Sequence, residues 1–120
     1  MEPRFQRDYR VARERDGTLV LSYAVGRLGA LMGRLLGRRE RIAIRPGEGL
    51  ICAGARLAFG DIEEIGVFTD ESSARRASDP TSYVFAHWRG RRVSITRRMP
   101  YGRAEAIRRE IVACSGHSWR

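Results

Sequence analysis

The stretch Tyr83–Cys114, Y-V-F-A-H-W-R-G-R-R-V-S-I-T-R-R-M-P-Y-G-R-A-E-A-I-R-R-E-I-V-A-C, decides the fold. It reads as a β-hairpin that runs through a proline into an amphipathic helix, a lid on a small sheet. Side chains alternate along a strand, so Val84, Ala86 and Trp88 point one way and Tyr83, Phe85 and His87 the other. Gly90 supplies the turn. A two-residue loop, Arg89-Gly90 or Gly90-Arg91, sets Val84, Ala86 and Trp88 beside Val93 and Ile95. The opposite face then carries Tyr83, Phe85 and His87 next to Arg92, Ser94 and Thr96, an aromatic and basic surface. A three-residue bulged loop would exchange the faces and make Tyr83 and Phe85 ordinary core.

Pro100 suits the first turn of a helix, where its missing N–H has no intrahelical partner. Ala104, Ile107, Ile111 and Cys114 recur at three- and four-residue spacings, which turns one stripe inward. Glu105 and Arg109 stand four apart in the favourable order for an ion pair. Gly116 is placed to end the helix in the left-handed conformation.

Working toward the N-terminus, Thr69–Pro80 is polar and aperiodic and reads as a surface loop. Ile62 to Phe68 reads as a strand after a tight turn or bulge, and the Asp61/Glu64 spacing of a capping box suggests a brief helical turn there. Arg41–Arg45, Leu50–Ala53 and Arg56–Phe59 form a β-meander broken at Pro46-Gly47-Glu48-Gly49 and at Gly54. Ala24–Gly37 places Leu28, Leu31, Met32 and Leu35 on one helical stripe and Arg27, Arg34 and Arg38 on another. Three readings stay open for it: a connector helix over one end of the sheet, self-association, or an amphipathic helix lying on a membrane. Thr18–Tyr23 is β-rich, and Asp16-Gly17 joins it to an edge strand from Tyr9 to Glu14 or to a basic arm.

The chain has 120 residues, enough for one domain with a single core and no disulfide or metal staple. The expected organisation is a basic arm or edge strand over 1–17, one domain over 18–116 that includes an amphipathic helix over 24–38, and a tail over 117–120. The fold class is α+β, mainly β: a small sandwich or partly open barrel of about seven antiparallel strands with a C-terminal helix. Formal charge is +9, and all 23 basic residues are arginine. The absence of lysine reads first as the bias of a GC-rich coding sequence, ahead of a functional reading, yet a surface this basic attracts the phosphates of nucleic acid or lipid head groups, which arginine grips bidentately. Two cysteines, Cys52 and Cys114, make no disulfide framework, and no secretory signal is visible, so the expected location is cytoplasmic, with a peripheral place at the inner membrane face as the alternative.

The order G-A-R-L-A-F-G-D-I-E-E-I-G-V, loop, Y-V-F-A-H-W-R-G-R-R-V-S-I-T and terminal helix resembles the bacterial pleckstrin-homology-like domains of YdbT and YcxB type, over Arg41 to Ala113. The resemblance implies a strand-rich module for protein binding, oligomerisation or lipid association. Many members carry transmembrane helices ahead of the domain, whereas arginines interrupt Leu19–Gly37 here.

Catalytic patterns are missing. The glycines at 26, 29, 33 and 37 fit neither phosphate-loop pattern. Cys114-x-x-His117 with Cys52 and His87 lacks the second paired spacing of a zinc site, and Ser94 and Ser115 have no nucleophile motif. The reading is therefore a non-enzymatic module without a cofactor, binding a protein or an anionic membrane. Arg56, Arg89, Arg91 and Arg92 are its electrostatic contacts, with Phe85 and Trp88 as aromatic contacts. The alternatives are a nucleic-acid binder or a homo-oligomer joined through Leu28, Leu31, Met32 and Leu35.

Overall fold

The computed structural model describes residues 9–24, 39–52, 54–70 and 81–116. Among them, five strands form one antiparallel meander: β1 (Tyr9–Arg13), β2 (Leu19–Ala24), β3 (Arg39–Arg45), β4 (Gly49–Cys52) and β5 (Ala55–Ala58). A single 3₁₀ turn, Phe59–Asp61, leads into a second antiparallel sheet of β6 (Ile62–Thr69), β7 (Ser82–Trp88) and β8 (Arg91–Ser94). The chain then closes with helix α1 (Tyr101–Ser115). The mainly β α+β class holds, with eight strands where about seven were expected; the extra one follows from the edge strand at Tyr9 joining the meander.

Ala24 ends β2 instead of opening a helix. The remainder of the amphipathic segment, with Leu28, Leu31, Met32 and Leu35, lies outside the described residues, as do the arm over 1–8 and the tail over 117–120. Thr69, assigned to a loop by its polarity, is the last residue of β6, because Ser82 opposite it completes the ladder. The capping box also fails. Asp61 ends the 3₁₀ turn and Glu64 already stands in β6, where the ladder claims its backbone. The bulge expected in this stretch falls between Ile62 and Glu64.

The register sorts every strand into an inner and an outer face. On the first sheet Leu19 pairs with Ile44, Leu21 with Ile42, Ile44 with Leu50, Ile42 with Cys52 and Leu50 with Leu57, and all of these are buried. The second sheet adds Ile62, Ile65, Val84 and Ala86 to the same core. Helix α1 packs on β6, β7 and β3, so it bridges the sheets. Its buried side is Ala104, Ile107, Ile111 and Ser115; Cys114, at the rim of the stripe, is half-buried. Each buried isoleucine contributes about 1.5–3 kcal/mol.

Both ends of α1 are fixed. Pro100 precedes it, and Gly116 ends it at φ 76°. The Ser115 carbonyl, left without an intrahelical donor, accepts the Gly47 N–H of the β3–β4 turn at 2.9 Å. Glu105 accepts from Arg108 at 2.6 Å and also meets Arg109 at 3.4 Å, so the expected pair exists beside a tighter one. The segment entering α1 is tied to the first sheet: the Arg97 N–H donates to the Tyr23 hydroxyl at 3.0 Å, and its guanidinium meets Glu40 at 3.0 Å.

Candidate binding surfaces

The β7–β8 hairpin turns on two residues. Trp88 pairs with Arg91, His87 with Arg92 and Ala86 with Val93. Arg89 and Gly90 have φ of 51° and 75°, the two positive values that a type I′ turn requires. The two-residue reading therefore holds, and Val84, Ala86 and Trp88 share the inner side with Val93. It also separates the residues expected to act together. Arg91 lies beside Trp88 on the inner side, whereas Arg92 lies beside His87 on the outer face. Arg89 is already engaged, bound to Asp61 at 3.0 Å and stacked 4.8 Å from the Trp88 ring. Trp88 packs against the core with its Nε1 buried, so it stands apart from Phe85. Arg56 belongs to β5 in the other sheet. The four arginines and two aromatics thus form no single site.

The outer face of the second sheet is the aromatic one. Its rows are Glu64–His87–Arg92, then Gly66–Phe85–Ser94, then Phe68–Tyr83. Phe85 is buried, 6 % exposed, although it points away from the core. Neither sequence alternative describes this: the ring is buried locally. It lies over Gly66, where a Cβ would stand 2.9 Å from Phe85 Cζ, beside His87, and under the Arg92 guanidinium at 4.7 Å. Arg92 also reaches the Phe68 ring at 5.2 Å, and Phe68 stacks at 5.4 Å on Tyr83. Thr96, expected on this face, leaves it. Between Ser94 and Met99 the register slips by two residues, and Thr96 Oγ1 turns back to accept the Val84 N–H at 3.0 Å. The face carries an acid as well, since Glu64 Oε1 leans toward Gly66.

The outer face of the first sheet differs. Ala12, Val20, Ala43, Ile51 and Arg56 form one row across all five strands, and Arg10, Ser22 and Arg41 form the next. Val20, Ala43 and Ile51 are partly exposed, while Arg10, Arg41 and Arg56 are exposed. No carboxylate belongs to the outward positions of these strands. Among the described residues none lies within ion-pair distance of Arg10, Arg41 or Arg56. Arg45, at the end of the face, is instead held by Asp16 at 3.7 Å and Glu48 at 3.6 Å. Arg10 and Arg41 flank Ser22 at two strand spacings, about 10 Å. Sequence reading named Arg56 but not Arg10 or Arg41. The alternation of Arg41 against Ile42 was visible, but its alignment with Arg10 depends on the β1–β2–β3 register.

Outside these faces, two thiols and a helical carboxyl are among the groups shifted by their surroundings. Burial pushes the Cys52 thiol up to about 11. Burial raises the Cys114 thiol too, aided by the Glu110 carboxylate, to which the thiol donates at 3.6 Å. Both cysteines are unpaired by disulfide, and neither is activated as a nucleophile. Hydrogen bonding from Arg108 lowers the Glu105 carboxyl. No group of metal-ligating side chains converges among the described residues, and His117 lies outside them. No helix among them is long and apolar enough to cross a membrane.

No family model, curated protein or solved structure matches the chain.

Proposed function

We propose that the chain is a non-enzymatic binding module of pleckstrin-homology-like type that docks on an anionic partner, an acidic protein or a membrane surface, through the outer face of β1–β5. The observation that carries this reading is the set Arg10, Arg41 and Arg56, exposed around a small apolar row with no carboxylate of the described residues beside them. Guanidinium groups without internal acceptors keep their donors for an incoming phosphate or carboxylate. A surface of one sign also raises the local concentration of an opposite one. The pleckstrin-homology-like part rests on element order, with two antiparallel sheets followed by a helix that bridges them.

The test is a titration of the whole chain against vesicles of anionic and of neutral lipid, a polyglutamate chain and a random DNA duplex, at low and physiological salt. Arg10→Gln/Arg41→Gln/Arg56→Gln is expected to lose capture of the anionic vesicles or the polyglutamate. Retention of capture by that variant overturns the assignment of the face. Capture of the duplex alone, falling steeply with salt as counterions are released, replaces the reading with nucleic-acid binding.

A further inference from the structure

We infer that the outer face of β6–β8 is a self-association surface, on which a second copy of this chain docks about a two-fold axis running parallel to β7. The register places Glu64, His87 and Arg92 in one row across the three strands, with His87 on the central strand and opposite charges on its two flanks. A two-fold axis along β7, lying between two copies set face to face, carries β6 of one copy over β8 of the other. Glu64 of each copy then stands opposite Arg92 of its mate, and the contact repeats twice, as an isologous interface requires.

The next rows complete the fit. Phe85 lies on the axis, and the half-exposed Phe68 and Tyr83 rings supply apolar area beside it. Gly66 comes opposite the small Ser94, so the two backbones can approach where Phe85 is already sunk over Gly66. Arg92 is held across the face by two rings, which leaves its N–H donors unengaged by any carboxylate among the described residues. Glu64 likewise makes no ion pair there. The β1–β5 face cannot associate in this way, because the same operation would set arginines against arginines.

The area is small. Strands of eight, seven and four residues cover roughly 300 Å² per copy, against about 800 Å² per partner in a standard stable interface. An interface this small belongs to the weak, transient class, and because area alone does not fix affinity a dissociation constant on the order of 100 µM serves as the centre of the range to search.

Sedimentation equilibrium of the full chain, from about 10 µM to 1 mM around that constant, tests the proposal with three variants. Glu64→Arg and Arg92→Glu are each expected to weaken association at least about tenfold, and Glu64→Arg/Arg92→Glu to return it to within about threefold of the parent. A parent chain that stays monomeric at the highest concentration overturns the proposal. So does a dimer indifferent to the single reversals, or one that the double exchange fails to restore while circular dichroism shows the chain folded. Should a variant unfold, dilution of the parent decides: amide shifts at Gly66, Phe85 and Ser94 support the surface, whereas shifts confined to Ser22 and Ala43 overturn it.

Discussion

The two outer faces of this molecule are built on the same strand alternation and carry opposite electrostatic designs. Outside β1–β5, arginines surround small apolar residues and no outward strand position among the described residues is acidic; outside β6–β8, Glu64 and Arg92 flank a central strand of aromatic and imidazole rings. One sign of charge suits a foreign anion and forbids self-pairing. Both signs on one row suit a second copy of the same surface. Net charge alone, at +9, makes no such distinction.

The comparison breaks most visibly on anion capture. An arginine near an anionic surface contributes about 1 kcal/mol, so removing Arg10, Arg41 and Arg56 together is expected to weaken capture roughly a hundredfold. Arg92→Gln, on the other face, is expected to change it less than about threefold by the same measure. Equal losses in a vesicle titration would show that the faces are not electrically distinct.

Stability separates the sheets next. A Cβ at Gly49 would stand within 2.5 Å of the Leu57 carbonyl oxygen, a backbone atom of the neighbouring strand that cannot swing aside. At Gly66 the obstacle is the Phe85 ring. Gly49→Ala should therefore cost about 2–3 kcal/mol and Gly66→Ala about 1 kcal/mol, as overpacking does when the neighbour is rigid or yielding. Urea midpoints measure both, and the reverse order would contradict the packing described.

A smaller effect lies on the inner side of β4. Burial raises the Cys52 thiol from 9.0 to about 11. The unfolded thiol then loses its proton first. The contribution of the neutral buried thiol is intact below about pH 9 and is lost as pH rises through about 11. The cost of Cys52→Ala, read from urea melts at pH 8 and pH 10.5, is expected to shrink at the higher pH. A constant cost would mean that the thiol is solvated.

The smallest effect belongs to the hairpin turn. Arg89 occupies a positive φ that Asn tolerates better, but it also holds Asp61 and covers Trp88. These opposing terms should leave Arg89→Asn within about 0.5 kcal/mol of the parent in thermal melts.

Much of the architecture was legible because local rules suffice for it. Alternation assigned Ile42, Ile44, Leu57, Val84 and Ala86 to one side, and the Ala104/Ile107/Ile111 stripe with Pro100 and Gly116 set the helix. The candidate site was less legible. Proximity in sequence grouped Arg89, Arg91 and Arg92, but adjacent strand residues face opposite ways and Arg89 closes on Asp61 across the fold. Phe85 defeated a choice between core and surface, because its burial comes from Gly66, His87 and Arg92 on neighbouring strands and along its own strand.

The sequence by itself determined the element types, their order and the inward side of most strands, since periodicity and turn chemistry act over a few residues. Only the tertiary structure decided which outward residues become neighbours. Pairing Arg10 with Ser22 and Ser22 with Arg41, or Glu64 with His87 and His87 with Arg92, depends on strand register, and register is set by the packing of the whole core.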